Sequence, residues 1–338
     1  MVSKSKRNLI ISLAIGIILF VVTLKYFGIG SVKLIYQNIN PIYFALYIFF
    51  GIVILFITAL RLQVILRAYK KKIPLLKLFK QNIAGFAVAY ITPSVKLGGE
   101  PLKAYMLKKE CNVDIKTGSS AMIIDKFVET LGTIFVGAIG LIILFLIPGI
   151  PIEVKVILFG IIFFGLVALY WIYRRTIKKK GSFSSLFNLL RFYKIKKWKS
   201  LLKIIEDVEA RMHRFFIFNK KEFIISFLIY LAYFILNIIE FKFLFLSFGI
   251  DASLIEIILT IVVLGIVNFI PVPAALGFLE AGQSALYGLL KSSASIGLAF
   301  SLVIRLRNII VTIIGFGIIS HFSGEQIIEI SKGKLPIK

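Results

Sequence analysis

Apolar stretches of roughly twenty residues, each closed off by lysine or arginine, recur along this chain. One occupies residues 41–60 and runs into Arg61, Arg67 and the triplet Lys70, Lys71, Lys72. Another occupies residues 152–173 and ends in Arg174 and Arg175. Further stretches cover 222–248 and 295–320, and a long segment over 117–147 starts polar and ends strongly apolar. Helices of this length match the hydrocarbon thickness of a bilayer, where every backbone N–H and C=O must be satisfied internally. Composition removes the alternatives. Hydrophobic residues make up 59% of the 338, more than a soluble interior of this size can absorb. An ordinary soluble enzyme and a disordered chain are both excluded. The fold class expected is all-α, a polytopic integral membrane protein over 1–338 with about six full spans.

The charge balance gives a topology. Lys and Arg number 41 against 16 Asp and Glu, a formal charge of +25. Because the basic residues border apolar spans, they fit the positive-inside rule and no nucleic-acid partner is expected. Both termini, the 61–80 and 96–109 regions and the 174–221 stretch fall on the cytoplasmic side of a cell membrane. Residues 174–199 interleave lysines and arginines with Phe183, Leu186, Phe187, Leu190 and Trp198. That pattern reads as an amphipathic segment against an anionic leaflet or as a solvated loop. Residues 1–27, basic at Lys4, Lys6 and Arg7 and then apolar, read as a retained first span rather than a cleaved leader. The single cysteine, Cys111, forms no intrachain disulfide, and His213 and His321 are the only histidines, so neither metal nor cofactor is expected.

Two segments do not read as simple spans. Residues 75–95 and 252–292 each contain an apolar helix too short to cross, then a Pro/Gly break, then a second helix. Similar basic flanks on both sides of the first suggest a re-entrant hairpin. The breaks match each other: Pro93 to Glu100 and Pro273 to Glu280 have the same length, and each glutamate opens a helix. Asp125 and Arg305 follow the two glutamates by the same interval inside apolar spans; Arg61 and Glu240 precede the two prolines similarly. The expectation is two inverted repeats, 41–147 and 222–322, each with one re-entrant hairpin, an architecture that places a transport site near the bilayer midplane.

Charges inside the spans are the candidate site. A charge at the bilayer centre costs about 3 kcal/mol even on the lenient insertion scale, so Arg61, Asp125 with Glu129, Glu240, Arg305 and Arg307 face partners or a wet cavity. Ion pairing of Asp125 or Glu240 with Arg305 is one reading, and a cavity for a charged headgroup is the other. Gly98 and Gly99 directly before the helix at Glu100, flanked by Lys96 and Lys103, can cradle a phosphate at a helix amino terminus or simply allow a tight turn. Asn82 and Asn268 are expected to satisfy backbone groups freed at the breaks.

Taken in order, Arg61-Leu62, Thr92-Pro93, Gly98-Gly99-Glu100-Pro101-Leu102-Lys103-Ala104, Asp125-Lys126, Pro271-Val272-Pro273, Leu276-Gly277-Phe278-Leu279-Glu280-Ala281 and Arg305 resemble the lysylphosphatidylglycerol synthase transmembrane-region family. The resemblance runs from about residue 8 to 322. It implies a flippase-like helical membrane unit with Gly99, Glu100, Asp125, Gly277, Glu280 and Arg305 at the family's motif positions. Some members join this unit to a soluble aminoacyltransferase or glycosyltransferase domain; here the membrane unit alone is implied. Two positions depart. The family often has Pro-Gly-Gly where this chain has Pro273-Ala274-Ala275, implying a stiffer turn. It often has Asp-Arg where this chain has Asp125-Lys126, which weakens bidentate contact with a headgroup there.

The leading expectation is a translocase for a phosphate-bearing or aminoacylated phospholipid or a polyprenyl-phosphate lipid, with membrane lipids as partners. Arg305 and Arg61 would bind phosphate, and Glu100, Asp125, Glu240 and Glu280 would balance charge. A headgroup transferase embedded in the membrane and a small-solute secondary transporter remain alternatives, and self-association of the chain is left open. The carboxylates offer acid–base chemistry, but no nucleotide or donor-binding motif accompanies them.

Overall fold

A computed structural model describes residues 17–26, 28, 39–92, 97–146, 152–179, 198–268, 270–291 and 293–331. Most of the expected first span, the turn at 93–96 with Lys96, and residues 180–197 of the basic segment lie outside them. The described residues are helical, as a polytopic membrane protein requires, and no strand occurs among them. In chain order the helices are α1 (Ile17–Tyr26), α2 (Pro41–Ala68), α3 (Leu75–Ile91), α4 (Glu100–Cys111), α5 (Ile115–Leu146), α6 (Ile152–Ile177), α7 (Trp198–Phe218), α8 (Lys220–Ser247), α9 (Leu254–Val267), α10 (Phe278–Lys291) and α11 (Ala294–Ser331). A 3₁₀ turn, Pro273–Ala275, separates α9 from α10. Among the described residues, four stretches are long and apolar enough to cross a bilayer: Pro41–Ala68, Lys155–Ile177, Lys220–Ser247 and Ala294–Phe322.

Helix starts are specified locally. Pro41 sits in the first turn of α2, and the Asn40 side chain accepts the N–H groups of Ile42 at 3.0 Å and Tyr43 at 3.3 Å. Ser253 and Glu256 form a reciprocal capping box at α9. Asp114 receives the N–H groups of Lys116 and Thr117 at 3.0 and 3.2 Å and opens α5. Its partial burial raises the carboxyl pKa, but the Thr117 hydroxyl and N–H, together with Arg211, outweigh that and hold it below its ordinary value. At the end of α9 the Asn268 amide donates to the Leu264 carbonyl at 2.6 Å, the satisfying role expected at a broken helix.

Two sets of four helices share a spacing. α2, α3, α4 and α5 begin at intervals of 34, 25 and 15 residues; α8, α9, α10 and α11 begin at intervals of 34, 24 and 16. In each set the second and third helices are short, with 17 and 12 residues in one and 14 and 14 in the other. Neither short helix alone matches the roughly twenty residues of a full span.

The chain divides into two compact units. The first comprises Met1–Leu55, Phe79–Lys103 and Ile235–Lys338. Its core joins Phe241, Leu244, Phe245 and Phe248 of α8 to Tyr287 of α10 and Phe300, Val303 and Ile304 of α11. Phe300 lies edge-on to Phe245, with ring centres 4.4 Å apart, and to Tyr287 at 5.3 Å. The Tyr287 hydroxyl is within hydrogen-bond reach of Thr260, at 2.6 Å, so this buried phenol has a polar partner.

The second unit comprises Phe56–Leu78 and Ala104–Phe234. Helices α5, α6 and α7 pack together in it. Amphipathic α7, the described portion of the basic 174–221 segment, turns Val208, Met212, Phe215 and Phe216 inward, and all four are buried. Its polar face is tied to α5 by ion pairs of Asp207 with Lys116 and of Arg211 with Asp114. The outward faces of α6 carry Ile157, Phe159, Phe163, Phe164 and Tyr170, all exposed, as lipid contact requires.

Candidate functional site

Arg61 lies near the end of α2 and is 2% exposed. A guanidinium so buried must be neutralised and hydrogen-bonded nearby. Its Nε donates to Asp125 Oδ1 at 2.6 Å, and its Nη2 donates to Asp125 Oδ2 at 3.1 Å and Glu129 Oε2 at 3.0 Å. The two carboxylates share a face of α5 because they are four residues apart. Lys126 reaches the other oxygen of Glu129 at 3.0 Å. The Arg61 guanidinium also stands 5.9 Å from the centre of the Tyr230 ring, whose hydroxyl meets Thr133 at 2.9 Å. This centre, within the second unit, holds two cations and two anions.

The first unit holds the other acidic and basic candidates. Glu280, in the first turn of α10, is fully buried. Its Oε1 receives Arg305 Nε at 2.5 Å, and its Oε2 receives Arg305 Nη2 at 2.9 Å and the Gly277 N–H at 2.9 Å. The pair is bidentate, the geometry that suits guanidinium and carboxylate best. Arg305 Nη1 turns to the Ala274 carbonyl at 3.3 Å and the Tyr90 hydroxyl at 3.5 Å. The guanidinium carbon lies 5.8 Å from the centre of the Phe20 ring. Two residues further along α11, Arg307 pairs with Glu240 of α8 and stands 5.2 Å over the Tyr47 ring. Glu240 is 2% exposed.

Arg61, Asp125, Glu240 and Arg305 each have an opposite charge in their own unit. Pairing occurs, but with partners other than those expected: Asp125 takes Arg61, Glu240 takes Arg307 and Arg305 takes Glu280. Each arrangement balances its cations with anions, so an incoming anion meets an arginine already engaged.

Residues 9–315 match the family described as the lysylphosphatidylglycerol synthase TM region. The chain belongs to that family. A UPF0104 membrane protein of Methanothermobacter thermautotrophicus is 26% identical over 343 residues, covering 96% of this chain and 98% of the relative. No solved structure matches.

The remaining candidates among the described residues, Gly98 to Lys103, belong to the first unit. Gly99 is buried and packed so closely against α3 that a Cβ would collide with the backbone of Gly85. Close helix approach is thus a reason for glycine here. Gly98 is partly buried beside it. Glu100 and Lys103 form an ion pair of 2.8 Å within the first turn of α4. Lys103 lays its methylenes over Gly85, which leaves room for them. Lys96 lies outside the described residues.

The turn that reads Pro273-Ala274-Ala275 carries strain. Ala274 and Ala275 have φ of 54° and 48°, left-handed values that cost an L-residue about 1–2 kcal/mol each. The Ala274 carbonyl that faces Arg305 sits on this backbone. Replacing Ala274 or Ala275 with glycine is expected to raise the unfolding temperature, with a gain of about 1 kcal/mol per site, provided the turn keeps its shape. Thermal unfolding of the purified variants measures it; a fall for both variants would show that the methyl groups contribute more by packing than they cost in strain.

Tyr230, Tyr90 and the Ala274 carbonyl lie beyond the expected set, whereas Glu129 and Arg307 are among the in-span charges that the sequence singles out. Glu129 and Arg307 carry a sequence signal, since a second charge inside an apolar span also needs a partner. The tyrosines carry none, because one aromatic among many in a membrane helix is unremarked in sequence.

Proposed function

We propose that this chain is a lipid translocase for a phosphate-bearing or aminoacylated phospholipid or a polyprenyl-phosphate lipid. The observation that carries the reading is the buried, bidentate Arg305–Glu280 pair, held at a broken helix among Tyr90, Ala274 and Gly277. An arginine fork fits phosphate as well as carboxylate, so a headgroup phosphate can take the place of Glu280 on Arg305. Glu280 keeps the Gly277 N–H during that exchange. Acyl chains stay in the bilayer while the polar group passes. Membership of a family named for a lipid-modifying enzyme's membrane region supports a lipid as cargo.

The matched spacing of the two four-helix sets supports an inverted repeat, with α3–α4 and α9–α10 as re-entrant pairs. On the positive-inside topology the two sets cross in opposite senses, and exchange between alternate ion pairs changes which side the headgroup reaches.

The test uses liposomes containing purified protein and a fluorescent phosphatidylglycerol. Protein-dependent loss of lipid from one leaflet is expected, together with mass spectrometry of an anionic lipid retained by the protein. Uptake of a water-soluble solute, with neither lipid movement nor selective lipid retention, would overturn the reading in favour of a solute carrier.

A further inference from the structure

We infer that the chain has a second anion site, separate from the buried ion pairs, in a basic cleft at the end of α2 that takes a phosphate-bearing group. The inference does not depend on the translocase reading. The cleft has a volume of about 700 Å³ and is lined by Gln63, Arg67, Lys70, Lys72, Ile73 and Pro74. Three of these are cations and none is acidic. Arg67, Lys70 and Lys72 are exposed.

The lining is organised by hydrogen bonds. Gln63 Nε2 donates to the Ile73 carbonyl at 2.7 Å, tying the loop back to the helix. The same amide, through Oε1, accepts Arg67 Nη2 at 3.0 Å and orients the guanidinium. Tyr69, between Arg67 and Lys70, is fixed by its hydroxyl to the Arg211 carbonyl at 3.3 Å.

Lys70 supplies the decisive observation. α2 ends in a Schellman turn, with the Lys71 N–H bonded to the Leu66 carbonyl at 3.1 Å and the Lys70 N–H to the Arg67 carbonyl at 2.8 Å. Lys70 takes the left-handed position of that turn, with φ of 57°. The end of α8 repeats the motif: Ile250 N–H to Phe245 carbonyl at 3.1 Å, Gly249 N–H to Leu246 carbonyl at 3.0 Å, and Gly249 at φ of 71°. There the position is glycine, the residue the backbone favours. At the corresponding places of that second turn stand Leu246, Gly249 and Asp251, none of them cationic. The fold therefore builds this turn without lysine, and lysine at φ of 57° carries a conformational cost. Lysine takes this conformation once more after α6, at Lys179 with φ of 53°; what sets Lys70 apart is the cleft it lines together with Arg67 and Lys72.

The chemistry is a cluster of flexible ammonium groups around one oriented guanidinium, which suits a phosphomonoester or diphosphate. Because α2 is apolar enough to cross the membrane, its end lies at headgroup depth. Both a soluble phosphate compound and a phospholipid headgroup can present that group.

The experiment titrates the full-length protein in neutral detergent with inorganic pyrophosphate and, separately, with dihexanoyl phosphatidic acid, at constant ionic strength. Calorimetry reads the affinity and thermal unfolding reads the stability. Saturable binding of at least one probe is expected. Lys70→Gly is expected to weaken it at least tenfold while leaving the unliganded unfolding temperature equal or higher. The double variant Arg67→Gln/Lys72→Gln is expected to abolish it. Pyrophosphate binding shows that a soluble ligand suffices; binding of phosphatidic acid alone assigns the site to a lipid headgroup. No saturable binding of either probe, or equal affinity in the wild type and both variants, overturns the site.

Discussion

Arg305→Ala is expected to destabilise the protein by about 3–5 kcal/mol, because it leaves Glu280 charged, fully buried and without its partner. Loss of transport in that variant alone would say little about headgroup binding. The geometry argues against an Arg305→Ala protein that folds normally. A cleaner variant removes both charges. Arg305→Met/Glu280→Gln keeps the volume close to the original while removing both charges, and the carbonyl oxygen of the new amide can still accept the Gly277 N–H. Replacing both members of a buried pair is often neutral or stabilising, since neither ion then has to be desolvated. The double variant is expected to unfold near the wild-type temperature and to lose lipid movement in liposomes and selective lipid retention. Wild-type lipid movement by a folded double variant would remove Arg305 from the proposed mechanism. Arg305→Lys gives an intermediate case: it keeps the charge but loses the planar fork, so a reduced rate with near-normal folding is expected.

What the sequence reveals here, and what it hides, follows from the range of the interactions. Helix extents are local. Apolar length, Asn40-Pro41, Ser253 with Glu256, and the Pro/Gly breaks all act within a few residues, and the observed helices start close to where these signals place them. That charges inside spans require partners is also legible, because the cost of an isolated charge does not depend on the fold. Which partner each takes is not legible. Arg305 has Asp125, Glu240 and Glu280 as formal candidates, and helix packing alone brings Glu280 to it. Glu240 instead meets Arg307, two residues along and on a different face of α11. The turn at Pro273 is hidden for another reason. Pro-Ala-Ala has ordinary helix-opening character, yet both alanines take left-handed backbone angles, an outcome that tertiary contacts impose. Gly99 shows the converse: Gly98-Gly99 before a helix suggests a phosphate cradle, and the close backbone of Gly85 provides a packing reason for one of the two glycines.

Gly297→Ala and Gly118→Ala are expected to diverge sharply, although the two glycines occupy corresponding places in the two four-helix sets. Gly297 lies in the first turn of α11 and packs against α10, so closely that a Cβ would overlap the backbone carbonyl of Gln283. Rotating a side chain cannot relieve that overlap; the two helices must separate. Phe300, Ala299 and Tyr287 are fully buried beside the contact, so separation opens the aromatic core. A loss of about 3 kcal/mol or more is expected, at the upper end of overpacking costs. Gly118 lies in the first turn of α5 and packs against Ala104 of α4, where an added Cβ would meet the nearest atoms at 3.5 Å, ordinary contact. Alanine there fits without displacement and favours the helix over glycine by up to about 1 kcal/mol. Thermal unfolding of both variants in the same detergent measures the difference. Equal destabilisation would contradict the packing described at these two helix pairs. The expected asymmetry has a physical meaning for the proposed repeat. The two sets share helix order and spacing but not tightness, and the closer contact lies beside the pair Arg305–Glu280. Small residues let backbones approach within a membrane, where dispersion and geometry rather than water drive association. A rigid α10–α11 pair fixes Glu280 against Arg305, whereas the looser α4–α5 pair leaves its set freer to shift. Hydrogen exchange along α4 and α5 is therefore expected to exceed that along α10 and the first turns of α11, and movement in the proposed transport is expected first in α4 and α5.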